Sequence, residues 1–155
     1  MTDSIADRLA DLAITLPAPA APVAAYVPAV VQGGLLHISG QLPYDSGTLM
    51  TGRLGDDRPV DFGYAAARAC GIMLLAQINK ALGSLERVER VVKLGVFVNC
   101  TGTFTDQPKV ANGASELMEQ VFGDIGRHAR SAVGVSSLPL GAAVEIDAIV
   151  AVKAG

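Results

Sequence analysis

Over residues 144–152, "VEIDAIVAV", the apolar side chains Val144, Ile146, Ala148, Val150 and Val152 fall on alternate positions, the period of a strand with one buried face. Glu145 and Asp147 lie on the other side, in company with Ala143, Ile149 and Ala151. Upstream the period changes. Residues 61–82, "DFGYAAARACGIMLLAQINKAL", are rich in Ala and Leu and predict a helix with a wide apolar face, and Gly83 is placed to end it. A second helix is signalled by Pro108 near its first turn. Thr105 or Asp106 can cap it, Val110, Leu117, Met118, Val121 and Phe122 face inward, and Gly123 fits its end. Between these helices "VVKLGVFVN" is apolar at successive positions, which predicts a strand buried on both faces.

Towards the N-terminus, "YVPAVVQGGLLHISGQLP" holds two β-prone runs split by Gly33-Gly34, the pattern of a hairpin. The polar, turn-rich "YDSGTLMTGRLGDDRPVD" that follows predicts a loop or a loosely formed strand. Ahead of both, Thr2 or Asp3 can cap a short helix with Ile5, Leu9 and Leu12 on one face, and "LPAPAAPVAA" ends it. This reads as an appendage over residues 1–25 to a core over 26–155. At the other end, "RSAVGVSSL" and "AAVEIDAIVAV" are joined by "PLG", which predicts a closing hairpin. The order ββ(β)αβαββ does not strictly alternate. It favours an α+β fold with both helices on one face of the sheet, leaving the other face in need of cover.

Composition sharpens this picture. With 155 residues, half of them hydrophobic, the chain can build one compact core and is short for two domains. Only 17% of residues are charged and the mean hydropathy is +0.40, more apolar than a domain this small needs. Identical subunits covering part of the surface would account for the excess. A formal charge of −3, with no cluster of Lys and Arg, argues against a nucleic-acid partner held through its phosphates. Cys70 and Cys100 have neither metal-ligand spacing nor a disulfide framework around them and read as small buried hydrophobes. The acidic start of the chain is unlike a secretory leader, and no charge-free segment reaches membrane-spanning length, so a cytoplasmic protein without a membrane partner is expected.

The residues that could carry chemistry are few. A carboxylate such as Glu145 in a mostly apolar strip is either at a solvated face, paired with a cation, or held for acid/base work. Arg130 opens the preceding strand, where the expected hairpin would set it beside Glu145. Its guanidinium suits either an ion pair with that glutamate or a bidentate grip on a ligand carboxylate. Ser131 reads first as a hydrogen-bonded strand residue and Asn112 as an interior or capping residue of the second helix. His37 and His128 stand isolated and read as structural, with His128 close enough to Arg130 to touch a ligand.

Three stretches together carry a resemblance. "HARSAVGVSSLPLGAAVEIDAIV" resembles the C-terminal signature of the reactive-intermediate deaminase family, also called Rid or YjgF: an Arg-Ser pair, a strand of small residues, a Leu-Pro turn and a "VEIE"-like strand. "YVPAVVQGGLLHISGQLPYDSG" resembles its N-terminal signature, and "GSLERVERVVKLGVFVN" is similar to its central strand. The resemblance implies a chorismate-mutase-like mixed sheet with two helices on one face, closed into a homotrimeric barrel with a site in each cleft between subunits. It implies hydrolysis of enamine/imine intermediates, 2-imino acids to 2-keto acids and ammonia, with neither metal nor cofactor. Carried over by position, Arg130 would grip the substrate carboxylate and Glu145 would activate water. Tyr26 would reach in from the neighbouring subunit, Ser39 and Gly40 would line the pocket, and Ser131 and Asn112 are weaker substrate contacts. Ala132 stands where many members have a cysteine, and the N-terminal helix and the loop before Pro108 are additions. A carboxylate-binding or regulatory trimer without turnover, and an endoribonuclease, are the competing readings.

Overall fold

In a computed structural model of the chain, which describes residues 3–19, 21–22 and 24–155, a five-stranded sheet is packed on one face by two helices. The hairpin predicted around Gly33-Gly34 is formed by β1 (Ala29–Gln32) and β2 (Leu35–Gln41), paired antiparallel with Gln32 opposite Leu35. Both glycines have positive φ, 61° and 77°, which is what so tight a reversal demands of the backbone. The polar stretch beyond it forms a two-stranded ribbon, β3 (Tyr44–Asp45) and β4 (Thr48–Leu49).

Among the described residues the α-helices are α1 (Ile5–Asp11), α2 (Val60–Leu82) and α3 (Gln107–Phe122), of which α2 and α3 cover the sheet. Gly83, at φ 81°, ends α2 as predicted. Asp106 is the residue before α3, with Pro108 in the first turn, but its side chain makes no capping bond. All five residues predicted to face inward from α3 are buried.

The N-terminal cap departs from expectation. Ser4, rather than Asp3, caps α1 in a reciprocal pair in which Ser4 Oγ accepts from Asp7 N and the Asp7 carboxylate accepts from Ser4 N. Thr2, the other candidate, lies outside the described residues. Nor is α1 a loose appendage. Arg8 Nη1 donates to the Val121 carbonyl at 3.1 Å, Ile5 N donates to Glu86 at 3.1 Å, and Ile5, Leu9 and Leu12 pack against the core.

Strand β5 (Val88–Asn99) lies between β6 (Ala129–Val135), with which it runs parallel, and β7 (Val144–Val152), with which it runs antiparallel. The sheet order is β1-β2-β7-β5-β6. The predicted closing hairpin of β6 and β7 is therefore not formed. Residues 136–143 instead arch over the end of β5, held there by Asn99 Nδ2 to the Ala142 carbonyl at 3.2 Å and by Asn99 N to the Ala143 carbonyl at 2.9 Å. The physical reason lies in β5. Its Val91, Leu94, Val96 and Val98 are buried under the helices, so this strand takes an interior slot, paired along both edges, between the two others. Burial of each such side chain stabilises the fold by about 1.5–3 kcal/mol, more than a short turn at "PLG" can offer. The second face of β5 is only partly covered in this chain: Val92 and Lys93 are exposed and Gly95 and Phe97 half-buried, against the expectation of burial on both sides.

On the helix-covered face the core runs from Leu36 and Ile38 through Ile146, Ala148 and Val150 to Leu94 and Val96, capped by Leu74, Leu75, Ile78, Leu117 and Met118. The opposite face carries Glu145, Asp147, Phe97, Ser131 and Val133. No helix among the described residues is long and apolar enough to cross a membrane.

Candidate active site

Because β5 separates β6 from β7, Arg130 and Glu145 do not meet within the chain. Arg130 is level with Leu94 of β5, on the helix-covered face, whereas Glu145 is level with Phe97, three residues on and therefore on the other face. The expected proximity of the two, and with it an intrachain Arg130–Glu145 ion pair, is absent for that reason. Each sits instead in a hollow of its own.

The Glu145 hollow is a cavity of about 1050 Å³. Tyr26, Ser39, Gly40 and Glu145, four of the residues singled out from the sequence, line it together. Its other walls come from α2, including Arg68, Ile72 and Met73, and from the segment that follows α1. A break in the β2–β7 register between Ile38 and Gln41 brings Gly40 against the glutamate. A Cβ on residue 40 would lie 2.8 Å from Glu145 Cδ and 2.9 Å from Oε1, so the carboxylate occupies the space that glycine leaves. Ser39 is committed locally. Its hydroxyl donates to the Val27 carbonyl at 2.9 Å and its backbone N–H to the Pro28 carbonyl at 2.9 Å, which fixes the lead-in carrying Tyr26. Tyr26 itself is 58% exposed.

Burial raises the Glu145 carboxyl above the ordinary carboxylate range, and the negative charge of Asp147 on the same face adds to the effect. Among the described residues no hydrogen bond or ion pair satisfies the Glu145 carboxylate. The Cys70 thiol lies buried nearby, 3.6 Å from the Val144 carbonyl. Burial, and then the Glu145 charge, push it far up, so it behaves as a small hydrophobe in the way the sequence suggests. Cys100 is likewise free and buried.

The Arg130 hollow, of about 280 Å³, is lined by Asn112, Ser115 and Glu116 of α3 and by His128 at the entrance to β6. Arg130 Nη1 donates to Asn112 Oδ1 at 2.9 Å and to Ser115 Oγ at 3.1 Å. Both acceptors are neutral. The acids near it are otherwise engaged, Glu116 with the Tyr64 hydroxyl and Glu119 with Arg127. The guanidinium is thus oriented through one nitrogen and makes no ion pair among the described residues, which leaves its other N–H groups available to an anion. Ser131 is exposed on the opposite face of the sheet from Arg130, so the two halves of the Arg-Ser pair point apart.

The pairing of Ser115 with His128 is not evident from the sequence. Ser115 Oγ is 2.9 Å from His128 Nε2, and His128 Nδ1 is 2.7 Å from the Gly126 carbonyl. The spacing of Asn112 and Ser115, three residues apart on one helix face, is the available signal. His37 sits exposed on β2, away from both hollows. Among the described residues no group of three or more His, Cys, Asp or Glu side chains could hold a metal ion.

Comparison with known proteins places this geometry. The family model described as "YjgF/chorismate_mutase-like, putative endoribonuclease" matches residues 6–150. Protein TCP17 of Trypanosoma cruzi is 57% identical over 148 residues, covering 94% of this chain and 92% of that protein. A 2-iminobutanoate/2-iminopropanoate deaminase of Dermatophagoides farinae is 29% identical over 142 residues, covering 90% of this chain and 95% of the other. The crystal structure of Atu1372 from Agrobacterium tumefaciens, a protein of unknown function, superposes with a TM-score of 0.90 at 47% identity, covering 96% of this chain and 92% of that one. Matched over nearly its whole length, the chain belongs to the YjgF/chorismate-mutase-like family, the reactive-intermediate deaminase (Rid) family.

Proposed function

We propose that this protein hydrolyses 2-imino acids to 2-keto acids and ammonia in clefts between the subunits of a homotrimer. The observation that carries this reading is the division of the site. Tyr26, Ser39, Gly40 and Glu145 line one hollow and Asn112 and Arg130 the other, with Glu145 and Arg130 on opposite faces of one sheet and neither in an ion pair among the described residues. A head-to-tail ring brings the Glu145 half of one subunit to the Arg130 half of the next, and three copies, the number the family resemblance implies, would close it. The exposed face of the sheet supports the same arrangement: Val30 and Val133 on it are 48% and 46% exposed. Tyr26 thereby belongs to the same half as Glu145, and Arg130 is the residue that comes from across the cleft.

In this cleft Arg130 holds the substrate carboxylate through the N–H groups not used by Asn112 and Ser115. The carbon of a protonated imine is already electrophilic, so positioning and one proton acceptor supply most of the chemistry. Glu145 takes a proton from water as its oxygen bonds to the imine carbon and the C=N electron pair moves onto nitrogen. The Glu145 carboxyl returns that proton to nitrogen, making it a leaving group. Loss of the hydroxyl proton to Glu145 then forms the carbonyl, breaks the C–N bond and releases ammonia, which carries the last proton away as ammonium. A carboxyl raised by burial is a stronger base than an ordinary glutamate, which suits it to the first step. The likeness to the Dermatophagoides farinae deaminase is consistent with the substrate class.

The test is to generate 2-iminobutanoate with a pyridoxal-phosphate lyase and follow loss of the imine with and without this protein. Acceleration that disappears in Arg130→Ala and Glu145→Ala supports the reading. Imine decay at the spontaneous rate, with 2-oxobutanoate nonetheless bound, would make the cleft a carboxylate-binding site without turnover.

A further inference from the structure

Every hydrogen bond leading away from Arg130 has a direction set by chemistry. A guanidinium only donates, so Ser115 Oγ accepts from Arg130 Nη1 at 3.1 Å. A carbonyl only accepts, so the Gly126 carbonyl, 2.7 Å away, receives its bond from His128 Nδ1–H. With the imidazole neutral, Nε2 is then an acceptor, and the Ser115 hydroxyl, 2.9 Å away, donates to it. The terminus of this relay is rigid. A Cβ on Gly126 would run into the Met118 carbonyl, so the 3-10 turn over Gly123–Gly126 is pressed against the end of α3 and its last carbonyl has a fixed position.

We propose that Ser115 and His128 are positioning residues for substrate binding, forming a one-way relay from the Gly126 carbonyl that fixes the rotamer of Arg130 and leaves its remaining N–H groups facing the cleft. The proposal rests on the reading of Arg130 as the carboxylate anchor. Asn112 alone would hold Nη1 at one point and leave the planar group free to swing about that contact. A second acceptor from the next turn of α3 removes that freedom, provided Ser115 keeps a lone pair turned to Arg130. His128 enforces this by taking the hydroxyl proton on the other side. The imidazole is kept neutral for this role, since burial holds it below its ordinary range, the Gly126 carbonyl opposes this, and the Arg130 charge reinforces it. Ser115 and His128 touch no reacting atom in this scheme, so their removal should appear in binding more than in turnover.

The experiment has two parts on the full chain. Nitrogen NMR of the two imidazoles, with His37→Gln assigning them, should find neutral His128 protonated at Nδ1. A proton at Nε2 would overturn the relay without any enzymology. In the second part, the Kd of 2-oxobutanoate and the kcat and KM for imine hydrolysis are compared in wild type, Ser115→Ala, Ser115→Thr, His128→Gln, His128→Asn and Arg130→Ala. Loss of the second acceptor in Ser115→Ala should weaken binding about tenfold, with KM rising by more than kcat falls. Ser115→Thr keeps the hydroxyl and should restore binding. His128→Gln, whose amide oxygen replaces Nε2 as acceptor, should bind better than His128→Asn, which cannot reach Ser115. Wild-type binding in Ser115→Ala, while Arg130→Ala loses it, would overturn the relay and leave the carboxylate anchor standing. Wild-type binding in Arg130→Ala would overturn both. A fall in kcat at unchanged Kd in Ser115→Ala would put Ser115 among the reacting groups and overturn the positioning role.

Discussion

Replacing Gly40 by alanine tests the placement of Glu145 through a residue that carries no chemistry of its own. The added Cβ would sit 2.8 Å from Cδ, 2.9 Å from Oε1 and 3.0 Å from Cγ of Glu145. Carbon atoms in contact settle at about 3.5–4.0 Å, so the end of the glutamate must retreat by roughly 0.7 Å or more. Gly40 does not have a positive φ, and alanine adopts its backbone without strain. The cost to stability is therefore small. An off-rotamer glutamate costs about 0.5–1.5 kcal/mol, offset by about 0.4–1 kcal/mol from the stiffer unfolded chain. Catalysis is less forgiving, since misplacing a reacting group by about 1 Å can cost on the order of 100-fold. Gly40→Ala should keep its melting temperature within a few degrees while kcat for 2-iminobutanoate falls about 10–100-fold, or about 1.4–2.7 kcal/mol of barrier. Gly102→Ala, at a site with nothing within 4 Å, is the control. Wild-type kcat in Gly40→Ala would refute the reasoning, since it would mean that the position of the Glu145 carboxylate is immaterial.

Arg130→Lys should fold normally and raise KM about 10–100-fold, because an ammonium cannot make paired bonds to a carboxylate and charged hydrogen bonds contribute about 1.5–3 kcal/mol; steady-state kinetics checks this, and an unaltered KM would remove the assigned role. Glu145→Gln should lose turnover, keep 2-oxobutanoate binding and melt at a higher temperature than wild type. The sign follows from the raised carboxyl: the fold favours its protonated form, so the stabilising contribution is present below the ordinary carboxylate range and lost as pH rises through the folded value. The gain in melting temperature should accordingly develop as pH rises from the ordinary carboxylate range to the folded value, level off above it and vanish in acid. Despite the wording attached to the family, single-stranded RNA should stay intact in the presence of protein purified to constant specific activity. Twelve Lys and Arg stand against fifteen acids, and His128, the histidine beside Arg130, is already engaged with Ser115 and the Gly126 carbonyl, in a hollow whose two arginines are matched by Glu116 and Glu119.

Local patterns in the chain predict the structure where the physics is local. Gly33-Gly34 makes the first hairpin, Gly83 ends α2, and the 3.6-residue spacing of Val110, Leu117, Met118 and Val121 buries the right face of α3. The Ser4–Asp7 capping box is equally legible in "SIAD", although Thr2 and Asp3 offer competing caps beside it. What periodicity does not reveal is which strands become neighbours. The turn residues at Pro139–Gly141 signal a reversal of the chain, but whether β7 returns beside β6 depends on where β5 lies, and that depends on contacts far apart in sequence. The apolar run of β5, followed by a helix and another strand, fits a parallel crossover as well as a hairpin-closed sheet. For the same reason Arg130 and Glu145 stand out by residue type while their relation does not. The relay through Ser115 and His128 joins a helix to a strand entrance and leaves no trace in spacing except the three-residue interval to Asn112.

The central claim is that one site is built from two chains, and mixing two inactive variants tests it most directly. In Arg130→Ala the Glu145 half is intact, and in Glu145→Ala the Arg130 half is intact. For the proposed trimer, co-refolding equal amounts would give mixed rings in about three-quarters of cases, and a head-to-tail ring of either mixed composition contains one wild-type cleft among its three. Imine hydrolysis should therefore recover to about a quarter of the wild-type rate. A mixture that assembles and remains as inactive as its separate components would contradict the account, because it would mean that Arg130 and Glu145 do not act together across a subunit boundary.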